Sequence, residues 1–261
     1  MASDPWVRVE HDDGVAQVVL ERPPVNQFDD AFVCMVRDAV LALGPHTRAV
    51  VVRSAVPRMF AAGGDIPWMA RVSIEEQLEF VRHCQDAYSA FERTPAPTIA
   101  AVDGPAMGGG FELALCCDIR VVGESARLGL PEATIGLIAG AGGTQRLVRA
   151  VGQGVARDLL LTGRRITGVE AGAMGIASRV VPDGTAAEVA LDIARRLADG
   201  PAEAIQATKR LAVLAPDVTI EEGLARERAE WEAVRRSAAT QEGLEAFAEK
   251  RRPDFRGAAQ R

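Results

Sequence analysis

Two glutamates stand where side chains can do acid–base chemistry. Glu112 follows a run of three glycines, Gly108 to Gly110, and Glu132 follows Pro131 in a segment, 128–145, dense in glycine. A carboxylate at a helix start complements the helix dipole, and each glutamate can be read that way by itself. Two carboxylates that face one cavity have another use, because their pKa values separate and one can act as base while the other acts as acid. The residues alone leave both readings open. Gly109 is similar: the amides of a first helical turn are unpaired, and glycine lets a backbone approach a ligand closely, yet a tight turn or cap needs the same residue.

The elements that must position these residues read as an α/β chain. Trp6 to Glu10 and Val15 to Leu20 alternate as strands around Asp12-Asp13-Gly14, a hairpin signature. Pro23-Pro24 ends the second strand. Asp29-Asp30 precede a helix over Ala31 to Leu43, and Arg48 to Ser54 is a Val-rich buried strand. Phe60 to Asp65 is a glycine-rich loop. Ser73 and Glu76 have the spacing of a capping box at the head of a helix running to Arg93. Thr98 to Val102 and Ile119 to Val122 read as strands flanking a helix from Phe111 to Cys117. From Thr185 onward the pattern is helical, over 185–198, 201–213, 219–237 and 239–250. Strands between helices followed by a helical tail predict a core over 1–200 and a helical region over 201–261.

Composition excludes several function classes. The chain has 261 residues, 48% hydrophobic, enough for a sizeable core. A net charge of −6 argues against nucleic acid as a partner. No stretch has the length of a membrane span. The opening residues, MASDPWVRVE, lack the basic and apolar regions of a signal peptide. Cys34, Cys84, Cys116 and Cys117 show no disulfide spacing, and Cys116-Cys117 read as small core residues in a reducing compartment. The expectation is a cytoplasmic protein. His11, His46 and His83 fall in no ligand spacing, so no metal is expected. There is no GxSxG elbow, no P-loop lysine after Gly140 to Gly143, and no GxGxxG with a later ribose acid. Arg71, Arg82 and Arg93 read as a solvated helix face.

Three stretches in order, FAAGGD (60–65), TIAAVDGPAMGGGFELALCCDIR (98–120) and LGLPEATIGLIAGAGGTQRLVRAVG (128–152), resemble the enoyl-CoA hydratase/isomerase, or crotonase, family. The ending FAEKRRPDF (247–255) resembles that family's C-terminal helix, so the likeness spans about residues 6–255. The fold this implies is a crotonase-like spiral of ββα units with a C-terminal helical region that builds a homotrimer or a dimer of trimers. The implied reaction is syn addition of water to a 2-enoyl-CoA thioester in fatty-acid or other acyl-CoA degradation. Coenzyme A is then part of the substrate, and no separate cofactor is expected.

By the same resemblance, the amides of Gly64 and Gly109 form an oxyanion hole, Glu112 is the base toward water, and Glu132 is the proton donor to the α-carbon. Gly140 shapes the pocket through its backbone. Retaining both glutamates favours hydration over Δ3-Δ2 isomerisation, which generally needs one carboxylate; a non-catalytic acyl-CoA-binding protein is the remaining alternative. Coenzyme A is expected against the backbone at Ala62, Asp65 and Ile66. Lys250, one of only two lysines, matches a lysine reaching the 3′-phosphate from a neighbouring subunit, or is a solvated charge beside Arg251 and Arg252. Phe247 and Trp231 match aromatic positions near it. Arg22 reads as a surface cation that could serve a phosphate. Two departures stand out. Pro67 replaces a lysine common in the family, and Leu130 occupies a position often polar, which predicts a more apolar pocket there.

Overall fold

The computed structural model describes residues 6–258; the expectation for MASDP at the start lies outside them. β1 (Val7–Asp12) and β2 (Val15–Leu20) form the expected hairpin. Asp13 (φ 45°) and Gly14 (φ 84°) both take the left-handed backbone that a two-residue turn of this hand requires. There follow β3 (Gln27–Phe28), α1 (Asp30–Leu41), β4 (Ala49–Ser54), β5 (Gly63–Gly64), α2 (Ile66–Met69) and α3 (Ile74–Arg93). Next come β6 (Thr98–Val102), β7 (Ala106–Met107), α4 (Gly109–Cys116), β8 (Ile119–Gly123) and β9 (Arg127–Gly129). A 3₁₀ turn (Pro131–Ile135) leads to α5 (Gly143–Thr162), β10 (Ile166–Thr167), α6 (Gly168–Ala173), β11 (Arg179–Val181) and α7 (Ala186–Ala198). The tail is α8 (Ala202–Leu214), α9 (Ile220–Arg235), α10 (Ala238–Glu249) and α11 (Phe255–Ala258).

The long strands form one sheet in the order β1-β2-β4-β6-β8-β11, parallel from β2 onward. The short strands form a second layer: β3 pairs β5, β7 pairs β9, and β10 closes on β9. A single bridge, Ala61 to Ala106, joins these two small pairings. Each turn of the chain thus contributes one long strand, one short strand and a helix, the expected ββα spiral.

The large sheet is buried on both faces, which is why its strands are continuous apolar runs. Successive side chains alternate. Val18, Val50, Val52, Ala100 and Val122 join the main core with α1, α3, α4 and α5. Val15, Val51, Ile99, Ala101 and Val121 meet α7 instead. That helix presents Ala186, Ala190, Ala194 and Ala198, one per turn and each fully buried, so it lies close on the sheet.

Two positioning devices matter for the site. The capping box at Ser73 is present: Ser73 N–H donates to Glu76 Oε2 at 2.8 Å and Glu76 N–H to Ser73 Oγ at 3.2 Å. It starts α3, the long wall beside the site. Arg22 is not the surface cation read from the sequence. Its guanidinium lies 4.3 Å over the Trp6 ring, donates to the Gln27 carbonyl, and reaches Asp29 Oδ2 at 2.5 Å. It pins the segment between β2 and α1, and its side chain is only 16% exposed.

The tail is docked by a buried cation that the sequence reading passed over. Lys209 on α8 is 8% exposed. Its Nζ lies 2.8 Å from Asp118 Oδ2 and donates to the carbonyls of Phe91 (3.0 Å) and Ala96 (2.9 Å). Among the described residues, no helix is long and apolar enough to cross a membrane.

Candidate active site

The short strands β5 and β7 and the 3₁₀ turn all end beside one cavity of about 610 Å³. α3 forms the facing wall. Gly64, Gly109, Glu112, Glu132 and Gly140 line this cavity together, as do Ala62 and Ile66. The close approach depends on glycine at two points. Gly63 has φ 90°, and a Cβ there would lie 2.7 Å from the Met107 carbonyl oxygen. Gly108 has φ 50°, and a Cβ there would lie 2.7 Å from Glu132 Oε1. Any other residue would push apart the two backbones or displace the carboxylate.

Glu112 sits in the first turn of α4 and is 3% exposed. A carboxylate serving only a helix dipole gains nothing from such burial, which disfavours its charged form. The Gly143 amide clamps it, donating to Oε1 at 2.8 Å. Burial is the largest influence and pushes its pKa up to about 7; the Gly143 amide opposes this and the Glu132 charge adds to it. Glu132 is half-buried, and its pKa is also raised by burial. Its Oε2 is enclosed and has no hydrogen-bond partner. Both carboxyls line one cavity and both have pKa values raised by burial, the setting in which a pair can divide the roles of base and acid.

Gly109 is the first residue of α4. The Gly108 N–H is taken by the Gly129 carbonyl at 2.9 Å, so the amides open toward the cavity begin at the helix itself. Gly140 lines the cavity and also joins its walls through the backbone. Its carbonyl accepts from Gln85 Nε2 at 2.7 Å, tying α3 to the loop, while Ala141 and Gly143 are the backbone neighbours that act on Glu112.

The segment expected to meet coenzyme A is partly committed already. Ala62 N–H donates to the Val25 carbonyl (2.9 Å) and Asp65 N–H to the Phe28 carbonyl (2.8 Å). Asp65 caps α2, its Oδ1 accepting from Trp68 N–H at 2.9 Å. Asp65 is not among the residues lining the cavity, whereas Ala62 and Ile66 are. Pro67 has a local reason: it occupies the first turn of α2, where its missing N–H costs nothing. Lys250 and Phe247 lie at the end of α10 and are not among the residues lining this cavity, with Phe247 86% exposed.

Leu130 corrects an expectation. It is 1% exposed and packs against Gly143, where a Cβ would meet its Cδ1 at 2.9 Å. It backs the clamp on Glu112 and is not among the lining residues, so it does not make the cavity itself more apolar.

Three residues of this neighbourhood escaped sequence reasoning. Gly143 was one of many glycines in 128–145, with nothing to single it out. Arg146 on α5 grips Glu92 on α3 with two bonds (2.7 and 2.8 Å) and the Ala141 carbonyl (2.8 Å), which fixes the loop carrying the clamp. Tyr88 on α3 is fully buried and lines the cavity, its hydroxyl unpartnered beside Gly109. Its ring meets Phe28 edge-on at 6.1 Å.

Comparison with known proteins gives a consistent result. The profile of the enoyl-CoA hydratase/isomerase family matches residues 10–258. The 2,3-dehydroadipyl-CoA hydratase of Escherichia coli K12 is 38% identical over 245 residues, 93% of this chain and 95% of the relative. The human mitochondrial methylglutaconyl-CoA hydratase is 40% identical over 239 residues, 89% of this chain and 70% of the relative. A crystal structure of an enoyl-CoA hydratase from Bacillus anthracis superposes with a TM-score of 0.92 at 35% identity, covering 96% of this chain and 99% of that one.

Proposed function

The chain belongs to the enoyl-CoA hydratase/isomerase family, and from that premise we propose that it adds water across the double bond of a 2-enoyl-CoA thioester. The observation that carries this reading is the pair of carboxyls, Glu112 and Glu132, in one cavity with the Gly64 and Gly109 backbone. Addition of water to the β-carbon drives charge onto the thioester oxygen. Fixed amide donors at Gly64 and Gly109 stabilise that oxygen without reorganising. Glu112, oriented by the Gly143 amide, takes a proton from water as the oxygen attacks. Glu132, kept toward its protonated form by burial, delivers a proton to the α-carbon on the same face. Free enzyme then needs one of the two carboxyls ionised and the other protonated, so the rate falls on both sides of an optimum.

Coenzyme A runs along Ala62 to Ile66, with Lys250 and Phe247 of a neighbouring copy closing on its phosphate end. The exposed apolar residues of the tail, Ile220 (76%), Trp231 (67%) and Phe247 (86%), support a trimer or a dimer of trimers built through it. The role in acyl-CoA degradation and the cytoplasmic location are part of the same reading. The free cysteines fit either a cytoplasm or the reducing mitochondrial matrix.

A second reading of the substrate is favoured by Arg165, a cation among the cavity-lining residues. It suits an acyl chain ending in a carboxylate, as in the substrates named for the E. coli and human relatives. The test is a kinetic panel: crotonyl-CoA, longer unbranched enoyl-CoAs and 2,3-dehydroadipyl-CoA, each scored for hydration and for Δ3-Δ2 isomerisation. Hydration with kcat/KM far above isomerisation is expected. Exclusive isomerisation, or tight binding without turnover, overturns the reading. If the carboxylated substrate is preferred, Arg165→Met raises its KM and leaves crotonyl-CoA unaffected.

A further inference from the structure

Away from the cavity, three side chains of different donor type meet where α1 packs on α3. Asp30 and Cys34 are four residues apart on α1 and so share a face. His83 comes from α3. Its Nδ1 lies 2.7 Å from Asp30 Oδ1 and 3.8 Å from Cys34 Sγ, and the three donor atoms lie within 4.8 Å of one another. The site is empty. Its ligands come from segments about fifty residues apart, so no spacing rule applied to the histidines could have found it.

One ring nitrogen faces both partners. That arrangement fails as a Cys-His-Asp relay, in which thiol and carboxylate must sit on opposite nitrogens of the imidazole. It suits a shared cation instead. Tetrahedral zinc, with bonds of roughly 2.0–2.3 Å, holds its ligand atoms about 3.3–3.6 Å apart. The 3.8 Å and 2.7 Å separations reach that spacing by movements of about half an ångström, and the Asp30–Cys34 pair, within 4.8 Å, closes on it by side-chain rotation.

We propose that Asp30, Cys34 and His83 bind one divalent cation of the zinc type, with a fourth position open to solvent. The sulfur, nitrogen and oxygen donors select a borderline metal over magnesium or calcium, which take oxygen. Thiolate and carboxylate together balance the charge of the ion. On binding, the thiol proton leaves, and the neutral imidazole keeps its own proton on Nε2. The nearby cation Arg37 bonds Asp38 at 2.9 Å and also faces Cys34. α3 carries Leu78, Val81 and Tyr88 into the acyl cavity on its other side. An ion at this point therefore ties the cavity wall to α1.

The test is a titration of the purified protein with cobalt(II), which reports thiolate ligation by a charge-transfer absorption. One equivalent per chain is expected, with the band lost in Cys34→Ser and affinity lowered roughly tenfold or more in His83→Ala and Asp30→Asn. Zinc should displace the cobalt and protect Cys34 of the unaltered protein from iodoacetamide, read by peptide mass mapping. Cys84, Cys116 and Cys117 are buried and do not confuse that reading. No charge-transfer band at millimolar cobalt, an unchanged band in Cys34→Ser, or alkylation of Cys34 unaffected by zinc overturns the proposal.

Discussion

The burial of Glu112 comes at a cost to the fold once the carboxyl ionises. Its carboxyl is raised by burial from 4.5 to about 7. A group whose pKa is higher folded than unfolded supports folding while protonated. That support is complete below about 4.5 and is lost as the pH rises through about 7. Above about pH 8 the ionised form costs roughly 3 kcal/mol relative to a protonated one. Glu112→Gln keeps an oxygen for the Gly143 amide and removes the charge. Urea denaturation should find this variant more stable than the parent by up to about 3 kcal/mol near pH 8, with the difference closing as the pH falls toward 4.5. A variant less stable at pH 8 contradicts the account. At this scale the two glutamates were legible only through their setting in a family pattern, since composition left them as helix-start carboxylates. Gly143 and Tyr88 were illegible, because a clamp amide and an enclosed hydroxyl are defined by neighbours 31 and 21 positions away, in Glu112 and Gly109.

At the scale of elements, the sequence was clearest where the signal is local. The Asp13-Gly14 turn and the Ser73–Glu76 capping box depend on residues a few positions apart, and both are present. β3, β5 and β10 are two residues each, too short for any periodicity, and exist only because the second layer pairs them. α5 went unassigned in a region dominated by glycine; it breaks at Gly152 (φ 75°). Arg22 was misread because its stacking on Trp6 and its bond to Asp29 are tertiary. Lys209 is a buried tertiary contact that ties α8 to the core. Lys209→Met leaves Asp118 without its cation and the Phe91 and Ala96 carbonyls without their donor. Breaking one side of a buried pair costs roughly 3–5 kcal/mol. A fall of that size in unfolding free energy is expected by chemical denaturation, and a change under about 1 kcal/mol would show that α8 is docked by other means.

For the whole molecule, the ββα spiral explains why sequence-distant segments make one site. Three short strands of the second layer lead to the same cavity, delivering Gly64 from β5, Gly109 after β7 and Glu132 after β9. The large sheet, buried on both faces, holds those ends rigidly, and α3 closes the space against them. Fold and family were legible because four motifs recur in order along the chain. The acyl pocket was not, because α3 shapes it from side chains whose direction depends on packing. The proposed reaction is the addition of solvent water to an enoyl thioester by two glutamates. It is tested most directly by incubating crotonyl-CoA in heavy-oxygen water with the parent protein, Glu112→Gln and Glu132→Gln, and weighing the product by mass spectrometry. Labelled 3-hydroxybutyryl-CoA is expected from the parent, with a loss of at least about a hundredfold in its rate of formation in each variant. Labelled product formed at the parent rate by either variant, or none formed by the parent, contradicts it.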